Sequence, residues 1–181
     1  MSRSTARCGV ALACAFAGLA LFSTVASARS AEPAVPAKIQ VGAGHTPFLL
    51  AHAIGVQIYA CSATPDGPKW QFVAPRAVLY DDHFQFLGTH YAGPTWQAKD
   101  GSTVQASRVD GVTVDPSAIP WLLLKATTKS PEGLLAPTTY IQRLNTRGGL
   151  EPAAAACSAA AVGNERHVPY TADYRFWKET A

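Results

Sequence analysis

Five histidines, His45, His52, His83, His90 and His167, are the side chains of this chain best suited to proton transfer near neutral pH. His90 has the richest surroundings. It lies in the stretch GTHYAGPTWQAKDGS, residues 88–102, with Tyr91, Trp96, Asp100 and Ser102 close in sequence. His90 as base, Asp100 as its orienter and Ser102 as nucleophile would fill the three roles of a hydrolytic triad. Against that, Asp100-Gly101 reads as a hairpin tip, away from the strand that carries His90, and neither G-x-S-x-G nor S-x-x-K occurs. The histidines show no metal-ligand spacing, and C-x-x-C and H-E-x-x-H are missing, so neither a metal nor another cofactor is expected.

Recognition is the other chemistry these residues offer. An imidazole on an inward strand face must find a hydrogen-bond partner or lose roughly 1–3 kcal/mol. A core histidine bonded to a carbonyl meets that need, and so does a cavity-lining donor beside Trp96. His52 shows the same pattern on an earlier strand, and Trp121 and Arg143 extend the set. Arg143 would stack on a ring or snorkel at a rim, and aromatics inside a small barrel either pack as core and cross-strand pairs or form a platform for sugar rings or hydrophobic molecules. The candidate site is therefore His90, Tyr91, Trp96, His52, Trp121 and Arg143.

The elements that position these residues read as short strands. Phe48, Leu50, His52 and Ile54 alternate along one face, with Gly55 as a candidate bulge. Phe84, Phe86 and His90 share a face in the same way, and TWQAKDGSTVQASRV predicts a hairpin on a type I′ turn at Asp100-Gly101. IPWLLLKATT reads as a strand buried on both faces, PTTYIQRLN as a strand ending at a turn in NTRGG, and Tyr170, Ala172, Tyr174 and Phe176 as one side of a last strand. Only EPAAAACSAAAVG, residues 151–163, breaks the pattern, as a short helix or an ordered loop. About eight to ten strands with frequent turns predict an all-β fold, a single-domain antiparallel β-barrel or β-sandwich.

Residues 1–28 read as a secretory signal peptide: Arg3 and Arg7, an apolar run, then Ala26-Ser27-Ala28 before cleavage. Cys14, after small residues, offers a lipoprotein alternative, but cleavage there would halve the apolar run. Residues 29–38 form a flexible lead-in and residues 39–181 the all-β domain, which would be secreted or periplasmic and monomeric, with no transmembrane segment after signal cleavage. Loss of Arg3 and Arg7 lowers the net charge from +3 to +1, and no run of like charges suits nucleic acid. Of the four cysteines only Cys61 and Cys157 remain, which predicts one disulfide, a reactive thiol being the rival reading.

The motifs GVQIYAC, GTHYAGPTWQAKDGSTV, IPWLLLKA, TTYIQRLNTRGG and PYTADYRFW occur in that order. Together they resemble a family of secreted bacterial and fungal proteins, the domain-of-unknown-function family number 3455. The resemblance implies a secreted, mostly β single domain with motif positions Gln57, Tyr59, Cys61, Trp70, His90, Gly93, Pro94, Trp96, Asp100, Gly101, Trp121, Arg143 and Gly149. It implies no activity. One departure is visible, because a glycine is expected in the turn before the His90 strand and this chain has DDHFQF. The leading expectation is a domain that binds a small molecule or carbohydrate without chemistry near His90, Tyr91 and Trp96. An extracytoplasmic hydrolase using His90 and a structural or stress-protective envelope protein are the alternatives.

Overall fold

The computed structural model describes residues 34–181. The signal peptide, its cleavage after Ala28 and the alternative at Cys14 lie outside these residues. Eight strands follow one another: β1 (His45–Ser62), β2 (Lys69–Tyr80), β3 (Phe86–Tyr91), β4 (Thr95–Ala98), β5 (Thr103–Val112), β6 (Trp121–Lys129), β7 (Tyr140–Gly148) and β8 (Glu165–Glu179). Each pairs antiparallel with its neighbour in sequence, and β8 returns to β1 in a register from His45 opposite Glu179 to Ala60 opposite Glu165, closing the sheet into a barrel. Closure leaves no unpaired sheet edge. With eight strands the interior is just wide enough to be filled by side chains or to hold one small ligand.

Period-two alternation decides what fills it. On β8, Tyr170, Ala172, Tyr174 and Phe176 point inward as the sequence predicts, and all are buried. On β1 the predicted phase is inverted. Ala51 and Ala53 are the buried residues, opposite Tyr174 and Ala172, whereas His52 and Ile54 face outward. A register shift between Pro47 and Leu49 separates the two settings. Gly55 is no bulge, since the irregularity falls between Ile58 and Tyr59. Its value is close approach: a Cβ there would lie 2.2 Å from the Arg76 carbonyl oxygen.

The Phe84–Phe86 face is also corrected. Both rings are exposed, because a shift between Leu79 and Tyr80 changes the pairing of β2 with β3 just before the buried Gly88 and His90. Where a turn glycine was expected, Phe84 itself adopts a φ of 57°. The Asp100-Gly101 hairpin forms, but not on a type I′ turn. Only Gly101 has positive φ, and its N–H returns to the Ala98 carbonyl. β7 ends within NTRGG but not at its start, running to Gly148 through a shift between Leu144 and Arg147.

Trp121 to Leu124 of β6 are protected on both faces, as predicted. Leu124 belongs to the interior, and Trp121 and Leu123 are covered from outside by Ile39 and Leu144, with Val35 and Val41 against them. Ile39 closes the 3-10 turn Ala37–Ile39, and its carbonyl accepts from Gln142 Nε2 at 2.6 Å.

The two ends of the barrel differ. One is plugged by Leu134 and Leu135 of the β6–β7 connection. Asp100 clasps that plug: Oδ2 accepts from the Leu134 N–H at 2.7 Å, and Oδ1 accepts from the Ser102 hydroxyl at 2.6 Å, while Ser102 Oγ accepts from the Leu135 N–H. At the opposite end, residues 149–164 take up two 3-10 turns, Ala154–Ala156 and Ala159–Ala161, rather than a helix. The Cys61–Cys157 disulfide pins them to β1. Tyr59 and Trp70 add hydrogen bonds to the carbonyls of Gly149 and Ala153.

Candidate functional site

The β3–β4 turn sets His90 in place. Gly93 takes a φ of 113°, open to glycine and costly for other residues, and a Cβ there would meet Thr95 Oγ1 at 2.9 Å. That hydroxyl donates to the Ala92 carbonyl, and the Thr95 carbonyl accepts from His90 Nδ1 at 2.8 Å. The imidazole stacks on Trp96, with ring centroids 4.2 Å apart and planes 14° from parallel, and Tyr174 meets both rings edge-on. His90 is 3% exposed. Burial, followed by the charge of Arg143 and opposed by the Thr95 bond, pushes its pKa down to about 3. The ring is therefore neutral, with its proton on Nδ1 and a lone pair on Nε2.

Above this stack the barrel holds a cavity of about 320 Å³, to which every strand contributes at least one lining residue. Phe72, Val73, Pro75, Pro94, Leu122 and Leu124 form its apolar wall. Gln57, His90, Trp96, Ser107, Arg108, Arg143 and Tyr174 supply the polar groups. Two of these residues carry buried donors, Gln57 Nε2 and Trp96 Nε1, that have no well-formed hydrogen bond among the described residues, although Gln57 lies close enough to Tyr170 to act on its hydroxyl. Such donors each cost about 1–3 kcal/mol, so evolution of a purely structural core would tend to remove them.

Arg143 projects from β7 at the level of Tyr174 on β8 and Leu122 on β6. Its Nε and Nη2 donate to the Pro120 carbonyl at 3.1 and 2.9 Å. The positive charge reaches well into the interior, since it acts on His90, Tyr59, Tyr170 and Tyr174 alike. Burial outweighs it at the three tyrosines and holds their hydroxyls protonated, with Tyr170 and Tyr174 oxygens 3.3 Å apart.

Of the six residues read from sequence, the structure brings together His90, Trp96 and Arg143. Tyr91 faces outward, where its hydroxyl donates to Gln97 and its ring borders a shallower groove on the outer face of β1–β3. His52 is on the outer face too, because of the inverted phase of β1. Its Nδ1 lies 2.6 Å from Asp173 and its Nε2 2.9 Å from Asp82; burial opposes the charged ring, but the two carboxylates prevail and raise its pKa. Trp121 belongs to the outer cluster with Ile39 and does not line the cavity. Trp96 offers no sugar platform, being 1% exposed with His90, Tyr174 and Phe176 against it. Asp100 and Ser102 are occupied at the plugged end, so the triad with His90 does not assemble. The sequence reading missed Gln57 as a site residue. Its signal was a carboxamide on the same alternating positions of β1 as Ala51 and Ala53.

The fold and site define a closed, eight-stranded antiparallel barrel, disulfide-linked, plugged at one end and hollow at the other. Its sequence matches the family described as Protein of unknown function (DUF3455) over residues 42–178, and the chain belongs to that family. No curated protein and no solved structure matches the chain.

Proposed function

We propose that this protein is an extracytoplasmic binding protein that takes one small molecule into the hollow end of its barrel and does no chemistry on it. The observation that carries the reading is a cavity of about 320 Å³ lined by two residues, Gln57 and Trp96, whose buried donors Nε2 and Nε1 have no well-formed hydrogen bond among the described residues. That volume is at the small end of ligand sites, which run from roughly 300 to 1,000 Å³. A purely structural role would favour a filled interior instead. The hydrolase reading has little support here: His90 has a carbonyl and rings around it, and a pKa of about 3 leaves it unable to act as an acid at neutral pH. The disulfide supports an oxidising compartment, and no helix among the described residues is long and apolar enough to cross a membrane.

The test is thermal denaturation of the oxidised protein against a panel of small acids, alcohols, amines, sugars and lipids. A ligand of this site raises the midpoint of the wild type and raises that of Gln57→Met and Trp96→Phe much less, both variants remaining folded. Equal shifts in all three proteins would place binding elsewhere.

A further inference from the structure

The cavity that this reading makes a binding site is one-sided in its charge. Gln57 Nε2 and Trp96 Nε1 are donors, and Arg143 is a guanidinium with five N–H groups, whose Nε and Nη2 donate to Pro120 and which also reaches the Tyr174 hydroxyl, fewer partners than it has donors. Arg108 adds a second cation at the wall, and no Asp or Glu lines the cavity. Among the described residues, neither arginine forms an ion pair with a carboxylate. The exposed Glu151 influences Tyr59. The side-chain acceptors on the wall are all neutral: His90 Nε2, the Ser107 and Tyr174 hydroxyls and the Gln57 carboxamide oxygen.

A half-buried guanidinium facing an apolar wall gains most from an anion that it can bond and that brings no donors of its own. A carboxylate fits: acceptor-only, planar, and matched to an Arg fork with two further N–H donors beside it. The rest of the cavity dictates the remainder of the molecule. Phe72 and Val73 at the mouth are 54% and 51% exposed, and with Pro75, Pro94 and Leu122 they offer contact for an apolar body. A volume of about 320 Å³ corresponds to about ten waters at roughly 30 Å³ each, so the molecule has on the order of ten heavy atoms.

Resting on the binding reading above, we infer that the ligand is a small monocarboxylate, its carboxylate held by Arg143, Gln57 and Trp96 and its apolar body against Phe72, Val73 and Pro94. Polyols and sugars are disfavoured, since many of their hydroxyls would leave water for the apolar wall.

The test uses three probes with one tail and different heads: octanoate, 1-octanol and octylammonium. Affinities are measured by calorimetry on the oxidised wild type and on Arg143→Gln, Arg143→Lys and Gln57→Met, with near-ultraviolet circular dichroism confirming each fold. The expected result is octanoate tighter than octanol by about tenfold or more, with octylammonium weakest. That preference falls to about parity in Arg143→Gln and Gln57→Met lowers it in part, while Arg143→Lys keeps some of it. Gln57→Met carries the test alone should the Arg143 variants fail to fold. Octanol binding as well as octanoate, or an octanoate preference that Gln57→Met and the Arg143 variants leave unchanged, would overturn the carboxylate assignment and leave the binding site standing. If no probe binds the folded wild type, and none of the acids, alcohols, amines, sugars or lipids of the panel shifts its midpoint, both readings fall.

Discussion

A buried neutral imidazole makes stability depend on acidity in a way that a single substitution can isolate. In the unfolded chain His90 takes its ordinary pKa of 6.5, and in the barrel it is lowered to about 3. The unfolded state therefore binds a proton first as the solution is acidified. Stability is fully present above pH 6.5 and is lost as pH falls from there toward 3. Between pH 7.5 and pH 4.5 the loss from this residue is about 2.6 kcal/mol. That figure depends mainly on the unfolded value, because pH 4.5 is still above the folded one. His90→Asn keeps a neutral donor able to reach the Thr95 carbonyl and removes the titration. Urea unfolding of both proteins at the two pH values should show the wild type losing about 2.6 kcal/mol more than the variant, a midpoint difference of roughly 1–2 M urea. His52 and the carboxylates are common to both proteins and cancel. Equal losses within about 0.5 kcal/mol would mean that the imidazole is hydrated or charged in the folded state, and the description of the stack would be wrong.

Three other outcomes follow from local structure. Replacing both Cys61 and Cys157 by Ala opens a cross-link between residues 96 apart in sequence; on the chain-entropy model this costs up to about 4.7 kcal/mol, measured as the difference in urea unfolding free energy. Gln57→Met removes a buried donor without a partner, and after loss of the carboxamide contact with Tyr170 it should still raise stability by about 1 kcal/mol, read as a melting point about 3 °C higher. A fall of that size would show that Nε2 is satisfied. Phe84→Gly relieves a non-glycine φ of 57° on a ring that is 76% exposed, so a gain of about 0.5–1 kcal/mol is expected in the same assay, and a loss would show that the ring contributes contacts.

The sequence carried the fold class because alternation on β8 and β6 and turn chemistry around Gly93-Pro94 and Asp100-Gly101 are local signals. It carried Cys61–Cys157 through their number and the expected compartment. The phase of β1 and β3 was not legible, since one residue of slippage moves every side chain to the other face. The shifts at Pro47/Leu49 and Leu79/Tyr80 arise from pairing between strands distant in sequence. That is why His52 was expected inside and is held outside by Asp173 and Asp82, and why His90 was assigned to the interior beside two phenylalanines that are exposed. Tyr91 was grouped with the site because it follows His90 in sequence, and Trp121 by its type. The two ends of the barrel look alike in sequence. Which one is plugged depends on Leu134 and Leu135 folding onto Asp100 and Ser102, contacts spanning more than 30 residues.

The most direct test of the account is a nitrogen–proton spectrum of the four indole N–H groups while octanoate is added. Trp96 is assigned by the loss of its signal in Trp96→Phe. Trp70 and Trp177 already donate to Ala153 and Gln142, and Trp121 is in the outer cluster, so none of these should respond. A saturable downfield shift of the Trp96 proton alone is expected, as its N–H gains an acceptor. A Trp96 signal that stays fixed while octanoate binds would contradict the placement of the ligand in the barrel.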